Sequence, residues 1–112
     1  MTGAMYVLEP ELRGGVEIVR VSGEIDTSNA HELERALQAV AASRAVVDLT
    51  GLEYLDSAGV RALSRGLSAL VARGGVFRAV APPGSAAQLT LRVTGYDSAA
   101  IAEDLESALL GL

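Results

Sequence analysis

The chain has 112 residues, half of them apolar, and a formal net charge of −5, and this length predicts one domain spanning residues 1–112 with a core of its own. All nine basic residues are arginines spread singly along the chain, and without a basic patch no nucleic-acid partner is expected. The chain has no cysteine and one histidine, which excludes disulfides and metal sites made of cysteines or several histidines and leaves only carboxylate sites open to a metal.

The beginning of the chain predicts a β-hairpin. Residues 5–8 are expected to form a short strand that ends before Pro10, and residues 16–21 alternate in polarity as a second strand does. Between them, residues 11–15 include a pair of glycines, which supply the positive φ angles that hairpin turns need.

A first helix is predicted after residues 22–26, which leave the second strand. Asp26, Thr27 or Ser28 is expected to cap this helix, because short polar side chains accept hydrogen bonds from free N–H groups. The helix is expected to end near residues 43–44. Its buried face is predicted from an apolar stripe at helical spacing, made of Leu33, Leu37, Val40 and Ala41.

The segment VVDLTGLEYLDSAGV, residues 46–60, is the most informative part of the chain. An apolar run at residues 45–47 predicts a buried strand, and residues 49–55, which include three leucines, predict a loop held against the protein. Asp56 and Ser57 are both good caps for a second helix. The Ser57 hydroxyl is therefore expected at a helix start, where unpaired N–H groups favour an anion such as phosphate. The buried face of that helix is predicted to contain Val60, Leu63, Leu67, Leu70 and Val71.

The remaining elements follow from similar signals. Residues 76–81 predict a strand stopped by two prolines, and residues 85–93 predict a helix capped by Ser85. Residues 99–102 are expected to form a weak final strand, and Asp104 to cap a last helix.

This order of elements predicts an α/β fold with a mixed sheet of four to five strands and about four helices. Strands that alternate with helices pair in parallel, whereas the opening hairpin adds an antiparallel pair. Binding sites in such sheets gather at the carboxyl ends of the parallel strands. Asp26 and Ser57 both follow strands of this kind.

The residues around Ser57 do not match the common catalytic motifs. Ser57 lacks the first glycine of a G-x-S-x-G elbow, and the only candidate base, His31, has no evident orienting partner and is expected to be solvated. The chain has no G-x-x-x-x-G-K phosphate loop. Asp26, Asp48 and Asp56 suggest a receiver-type phosphoaspartate or Mg²⁺ site, but receivers also need a lysine, which the chain lacks. From spacing alone, Ser57 is interpreted as a helix cap.

The same segment resembles the signature of bacterial anti-sigma factor antagonists, the STAS domain family. The resemblance lies in Asp48-Leu49-Thr50 at a strand end and in Asp56-Ser57-Ala58-Gly59 at a helix start. It extends to residues 21–26, similar to the family's Gly-Glu-Leu-Asp strand end, and to residues 89–95, similar to its late helix ending in Thr-Gly. Nearly the whole chain is covered.

The resemblance implies a switch rather than an enzyme. Ser57 would be the phosphoacceptor of an anti-sigma factor that is also a serine protein kinase, and a PP2C-type phosphatase would restore the unmodified form. The unmodified form would bind the kinase and free a sigma factor. ATP and Mg²⁺ would be bound by the kinase, so this chain is expected to have no catalytic residue, cofactor or metal. The partner-binding residues would be Asp26, Thr27, Asp56, Ser57, Ala58, Gly59 and Arg61.

Two alternatives remain, together with an expectation about location. The domain could be a structural or scaffold subunit of a stress-signalling or lipid-transport assembly, or, as the enzyme alternative, a Ser57 hydrolase. Residues 1–5 lack the pattern of a signal peptide, and no apolar run is long enough to span a membrane. A cytoplasmic protein without a membrane partner is therefore expected. Many family members have a second serine where this chain has Ala58.

Overall fold

The structure, a computed structural model, describes residues 5–97 and 100–112. The strands are β1 (Tyr6–Arg13), β2 (Val16–Ile25), β3 (Arg44–Leu55), β4 (Val76–Val80) and β5 (Ile101–Ala102). The helices are α1 (Ala30–Gln38), α2 (Ser57–Ala72), α3 (Ala86–Val93) and α4 (Leu105–Leu110).

The strands form one sheet in the order β1-β2-β3-β4-β5. β1 and β2 are antiparallel, and every other neighbouring pair is parallel. The predicted single α/β domain with a mixed sheet and four helices is thus confirmed. Among the described residues, no helix is both long and apolar enough to cross a membrane.

The opening hairpin is confirmed, but its first strand is longer than predicted. Gly14 and Gly15 have φ angles of 57° and 80° and form the two-residue turn. β1 continues through Pro10, which pairs with Val19, so the prediction that the strand ends before Pro10 is wrong. β1 is an edge strand, and an edge strand tolerates a proline because an N–H on its open side would have no partner in the sheet.

β2 and β3 also extend beyond their predicted ends. The predicted loop at residues 49–55 belongs to β3 and pairs with the end of β2, with register shifts between Arg20 and Ser22 and between Gly23 and Glu24. These bulges break the alternation of side chains, and this is why periodicity missed the strand ends. The expectation that the segment is held against the protein is correct, because its three leucines, Leu49, Leu52 and Leu55, are buried.

The sheet separates two hydrophobic clusters. In β2, Val19 and Val21 contribute to the larger cluster and Val16 and Ile18 to the smaller one, as alternating side chains on opposite faces must. Helices α1, α2 and α3 pack on the larger cluster, whereas α4 covers the smaller one through Ala108.

The helix predictions hold with corrections at the ends. α1 ends at Gln38 rather than near residues 43–44, and Ala41 is exposed while the rest of its predicted stripe is buried. In α2, Val71 is 53% exposed, so it does not belong to the buried face. The other predicted residues of that face, Val60, Leu63, Leu67 and Leu70, are buried.

The remaining predictions can be compared directly. β4 ends at Val80, one residue before its predicted end, and Ser85 and Asp104 cap α3 and α4 through hydrogen bonds from the N–H groups of Gln88 and Ser107. The last strand is confirmed for Ile101 and Ala102. Its predicted first residue, Ala99, lies outside the described residues, as do residues 1–4, in which no signal peptide was predicted.

Replacing Leu63 with Ala should lower the free energy of unfolding by about 2–5 kcal/mol, because the side chain is fully buried on the sheet side of α2. Val71→Ala in the same helix is the control and should change stability by less than about 0.5 kcal/mol, since Val71 is half exposed. Urea denaturation measures both changes. Equal losses for the two variants would contradict the assignment of the buried face.

Candidate functional site

The site lies where β2 and β3 end side by side. Ile25 pairs with Leu55, and the Asp56 N–H donates to the Ile25 carbonyl oxygen at 3.4 Å. Asp26 is the residue that follows β2, and Asp56 is the residue that follows β3. The structure therefore places Asp26 and Asp56 at the same edge of the sheet, as expected for residues that follow parallel strands.

Ser57 is the first residue of α2 and not its cap. Asp56 occupies the cap position, and its Oδ1 accepts a hydrogen bond from the Gly59 N–H at 3.0 Å. The interpretation of Ser57 as a helix cap is therefore wrong. The Ser57 side chain is exposed, and its hydroxyl makes no hydrogen bond to the residues that the structure describes. A free hydroxyl at this place is accessible to a partner.

Gly59 lets the start of α2 lie directly on the ends of the two strands. A Cβ atom at this position would be 2.3 Å from Leu55 Cδ1 and 3.0 Å from Ile25 Cγ2. The glycine of the Asp-Ser-Ala-Gly segment is buried for this reason. This close packing places the turn that contains Ser57 against the ends of β2 and β3.

The Asp26 carboxylate is held by Ser28. Asp26 Oδ1 accepts hydrogen bonds from the Ser28 hydroxyl at 2.5 Å and from the Ser28 N–H at 2.8 Å. The hydroxyl first, and then the backbone N–H, lower the pKa of Asp26 below its usual value. Asp26 thus adds negative charge beside the start of α2. Its side chain forms a local turn and does not cap α1.

Asn29 takes the cap position of α1, so the expectation that Asp26, Thr27 or Ser28 caps this helix is wrong. The Asn29 side chain is buried and connects the two ends of the segment between β2 and α1. Its Oδ1 accepts from the Asp26 N–H at 3.0 Å, and its Nδ2 donates to the Glu24 carbonyl oxygen at 2.9 Å. Sequence reasoning missed this residue. The available signal was an asparagine just before the helical stripe, a position where its amide can bond local backbone.

Thr90 of α3 is a second positioning residue that the sequence did not reveal. Its Oγ1 donates to the Leu55 carbonyl oxygen at 2.8 Å, immediately before Asp56. α3 thereby contacts the end of β3 through a side-chain hydrogen bond. This contact gives a structural role to the segment at residues 89–95, which only the resemblance singled out.

A shallow groove of about 200 Å³ separates α1 from the first turns of α2. It brings together three of the predicted partner-binding residues, Thr27, Ala58 and Arg61. Three further side chains on its walls, His31, Glu34 and Arg65, were not predicted to bind a partner. Among the described residues, neither the Arg61 nor the Arg65 guanidinium group has a hydrogen-bond or ion-pair partner. The groove therefore presents two free cations, Arg61 about one helical turn and Arg65 about two turns beyond Ser57, in a chain of negative net charge.

A larger groove of about 740 Å³ lies between α2 and the residues that follow α3. Phe77 and Tyr96 contribute to its apolar wall, and burial raises the pKa of Tyr96 to about 12. None of the predicted site residues lines this groove. We place the site at the start of α2 and the smaller groove beside it, because Ala58, which follows Ser57 directly, and the two free arginines line that groove.

The described residues hold no arrangement typical of hydrolysis or metal binding. No group of three or more His, Asp or Glu side chains in that part of the chain is arranged to hold a metal ion. His31 is exposed, and neither its ring nor the Ser57 hydroxyl makes a hydrogen bond to another described residue.

Comparisons with known proteins agree with this geometry. The family model described as "Mlab, STAS domain" matches residues 9–111. A crystal structure of an anti-sigma factor antagonist from Mycobacterium paratuberculosis is 33% identical, with a TM-score of 0.85, and the match covers 96% of this chain and 93% of that one. A search of curated proteins finds no match.

Two more distant structures share the fold. The anti-sigma factor antagonist SpoIIAA in its unphosphorylated form is 16% identical, with a TM-score of 0.76 and 93% of each chain covered. A sulfate transporter family protein from Wolinella succinogenes is 17% identical, with a TM-score of 0.73, and the match covers 90% of this chain and 87% of that one. At these identities the similarity concerns the fold alone.

Replacing Gly59 with Ala should destabilise the protein by about 1–3 kcal/mol, because the added methyl group would overlap Leu55 and Ile25. Ser64→Ala, at an exposed position of the same helix, is the control and should change stability by less than about 0.5 kcal/mol. Thermal denaturation followed by circular dichroism measures both. A Gly59→Ala variant as stable as the control would show that the turn is not closely packed.

Replacing Asn29 with Ala should cost about 1–3 kcal/mol, since it leaves the Asp26 N–H and the Glu24 carbonyl without their side-chain partner. The matched control is Thr27→Ala, two residues earlier and exposed, with an expected change below about 0.5 kcal/mol. Chemical denaturation measures the free energy of unfolding of each variant. The proposed positioning role of Asn29 fails if the two variants are equally stable.

Proposed function

The chain belongs to the STAS domain family, and we propose that it is an anti-sigma factor antagonist that is switched by phosphorylation of Ser57. In the proposed cycle, the unmodified protein binds an anti-sigma factor with serine protein kinase activity, and a sigma factor is freed. Phosphorylation ends the interaction, and a PP2C-type phosphatase restores the unmodified form. The similarity to an antagonist at 33% identity supports the general role.

The observation that carries this proposal is the exposed, unbonded hydroxyl of Ser57 at the start of α2. A kinase has to reach the acceptor oxygen from outside, and neither a capping bond nor burial obstructs it here. Asp56 performs the capping, so the serine is not needed to stabilise the helix. A modification role accounts for a serine at this position, whereas capping does not.

In the proposed phosphorylation, this chain supplies the acceptor and the kinase supplies the catalysis. The γ-phosphoryl group of ATP forms a new P–O bond with Ser57 Oγ, and the bond to the oxygen that bridges to ADP breaks. The hydroxyl proton passes to a base of the kinase, which also binds ATP and Mg²⁺. Accordingly, we propose that this chain has no catalytic residue and needs no cofactor.

The physical basis of the switch is a change of charge and size at one oxygen. Unmodified Ser57 is small and neutral, whereas phosphoserine carries about −1.5 to −2 charges. The N-terminus of α2 favours the phosphate by about 0.3–1 kcal/mol, while the carboxylates of Asp56 and Asp26 repel it. The fold therefore changes little on modification. In an interface, each 1.4 kcal/mol of clash or desolvation weakens binding about tenfold.

A second candidate function is that of a structural or scaffold subunit. The similarity of fold to a sulfate transporter family protein favours it, because that protein is not described as an anti-sigma factor antagonist. The two functions differ at Ser57. A scaffold has no use for an exposed phosphoacceptor, and its binding would not depend on that side chain.

Calorimetry with the kinase anti-sigma factor should separate wild type, Ser57→Ala and Ser57→Asp. The kinase is identified by intact mass spectrometry after candidates are incubated with the protein and ATP. We expect Ser57→Ala to bind without being modified and Ser57→Asp to bind at least several-fold more weakly, because a carboxylate brings charge into the interface.

The matched control is Ser64→Ala, which removes another exposed serine of α2. This variant should gain one phosphate and bind like wild type. The switch is contradicted if phosphorylated and unmodified protein bind the kinase equally tightly. A mass increase that persists in Ser57→Ala would move the phosphoacceptor elsewhere.

A further inference from the structure

We propose that Arg61 binds the phosphate when Ser57 is phosphorylated and is thereby withdrawn from the groove between α1 and α2. The inference rests on the proposed modification of Ser57 and adds the residue that responds to it. It concerns only side chains of this chain, so it can be tested without a partner.

The positions of the two residues on α2 place them next to each other. Ser57 is the first residue of the helix and Arg61 follows four residues later. Residues at this spacing share a helix face, with Cβ atoms about 5–6 Å apart. Helical side chains also lean toward the N-terminus, so Arg61 extends over the turn that contains Ser57. Both side chains are exposed, so the Arg61 guanidinium can turn from the groove that it lines toward Ser57.

Arg61 is available because no nearby carboxylate holds it. Asp56 accepts from the Gly59 N–H, Asp26 accepts from Ser28, and Glu34 across the groove accepts from the Gln38 amide at 3.3 Å. Within the described residues, none of these carboxylates accepts a hydrogen bond from Arg61. A phosphate on Ser57 would place an anion one helical turn from the free guanidinium of Arg61.

The chemistry of the pair favours this contact. A guanidinium presents parallel N–H donors that match two oxygens of a phosphate, and such charge-assisted bonds are stronger than neutral ones. Arg65 does not compete, because it lies eight residues from Ser57, or about 12 Å along the helix axis. Arg61 is therefore assigned as the phosphate ligand and Arg65 as the cation that stays in the groove.

Two changes in the groove then follow from one modification. The phosphate adds bulk and negative charge beside Ala58, and the turn of Arg61 toward the phosphate removes a cation from the groove wall. A partner that places a carboxylate against Arg61 would lose that contact at the same time as it met the phosphate. The movement of Arg61 would therefore increase the difference in partner affinity between the unmodified and the phosphorylated protein.

The test is a phosphorus NMR titration of protein with phosphoserine inserted at position 57 during translation. A nearby cation favours the dianion and lowers the second pKa of the phosphate, which is ordinarily about 6. Arg61→Gln should therefore raise this pKa by about 0.2–0.4 pH unit relative to wild type at low ionic strength. Arg61→Lys, which keeps the charge but loses the fork of donors, should give an intermediate value.

The matched control is Arg65→Gln, which removes the same charge from the same groove one turn further along α2. Its effect on the phosphate pKa should be less than half that of Arg61→Gln. Equal effects of the two variants, or none, would overturn the assignment. The phosphate is installed without any kinase, so a shift specific to Arg61 supports the inference even if no kinase modifies the protein. Thermal melts of the unmodified variants verify that both exposed positions tolerate glutamine.

Discussion

The parallel pairing of β2 with β3, which continues to Ile25 and Leu55, is the constraint on which the site depends. Two register shifts let β2 and β3 remain paired up to Ile25 and Leu55, where both strands end. Without this extension, the segment before α1 and the start of α2 would leave the sheet at separate places. Because the strands end together, Asp26, Asp56 and Ser57 lie at one edge, and the helices that follow form the walls of one groove.

Small polar and packing contacts then give this edge its shape. Gly59 permits contact with the strand ends, Thr90 satisfies the last carbonyl of β3, and Asn29 holds the segment that contains Asp26. These three contacts come from different elements, so the position of Ser57 does not depend on hydrogen bonds of its own side chain. A chemical change at the Ser57 side chain would therefore leave these three contacts in place.

The order of elements and the start of α2 could be predicted from the sequence, because helical spacing and capping residues are local signals. The strand ends could not, because each register shift between β2 and β3 places an extra residue in β3 and interrupts the alternation that marks a strand. Pro10 looks like a stop unless its strand is known to be at an edge. Spacing placed Ser57 at a helix start, but only the resemblance to a family suggested that it is a phosphoacceptor. Asn29, Thr90 and Arg65 were missed because their contacts, or the groove they line, arise only when separate elements pack together.

The position of Pro10 also bears on how other chains can approach this one. A sheet edge with free N–H groups recruits foreign strands and is a common origin of aggregation. Here β1 contains a proline among charged neighbours, and the opposite edge, β5, is only two residues long. The proline removes one donor from β1, and β5 is too short to offer many. These edges favour recognition through side chains and helix surfaces over the addition of a foreign strand.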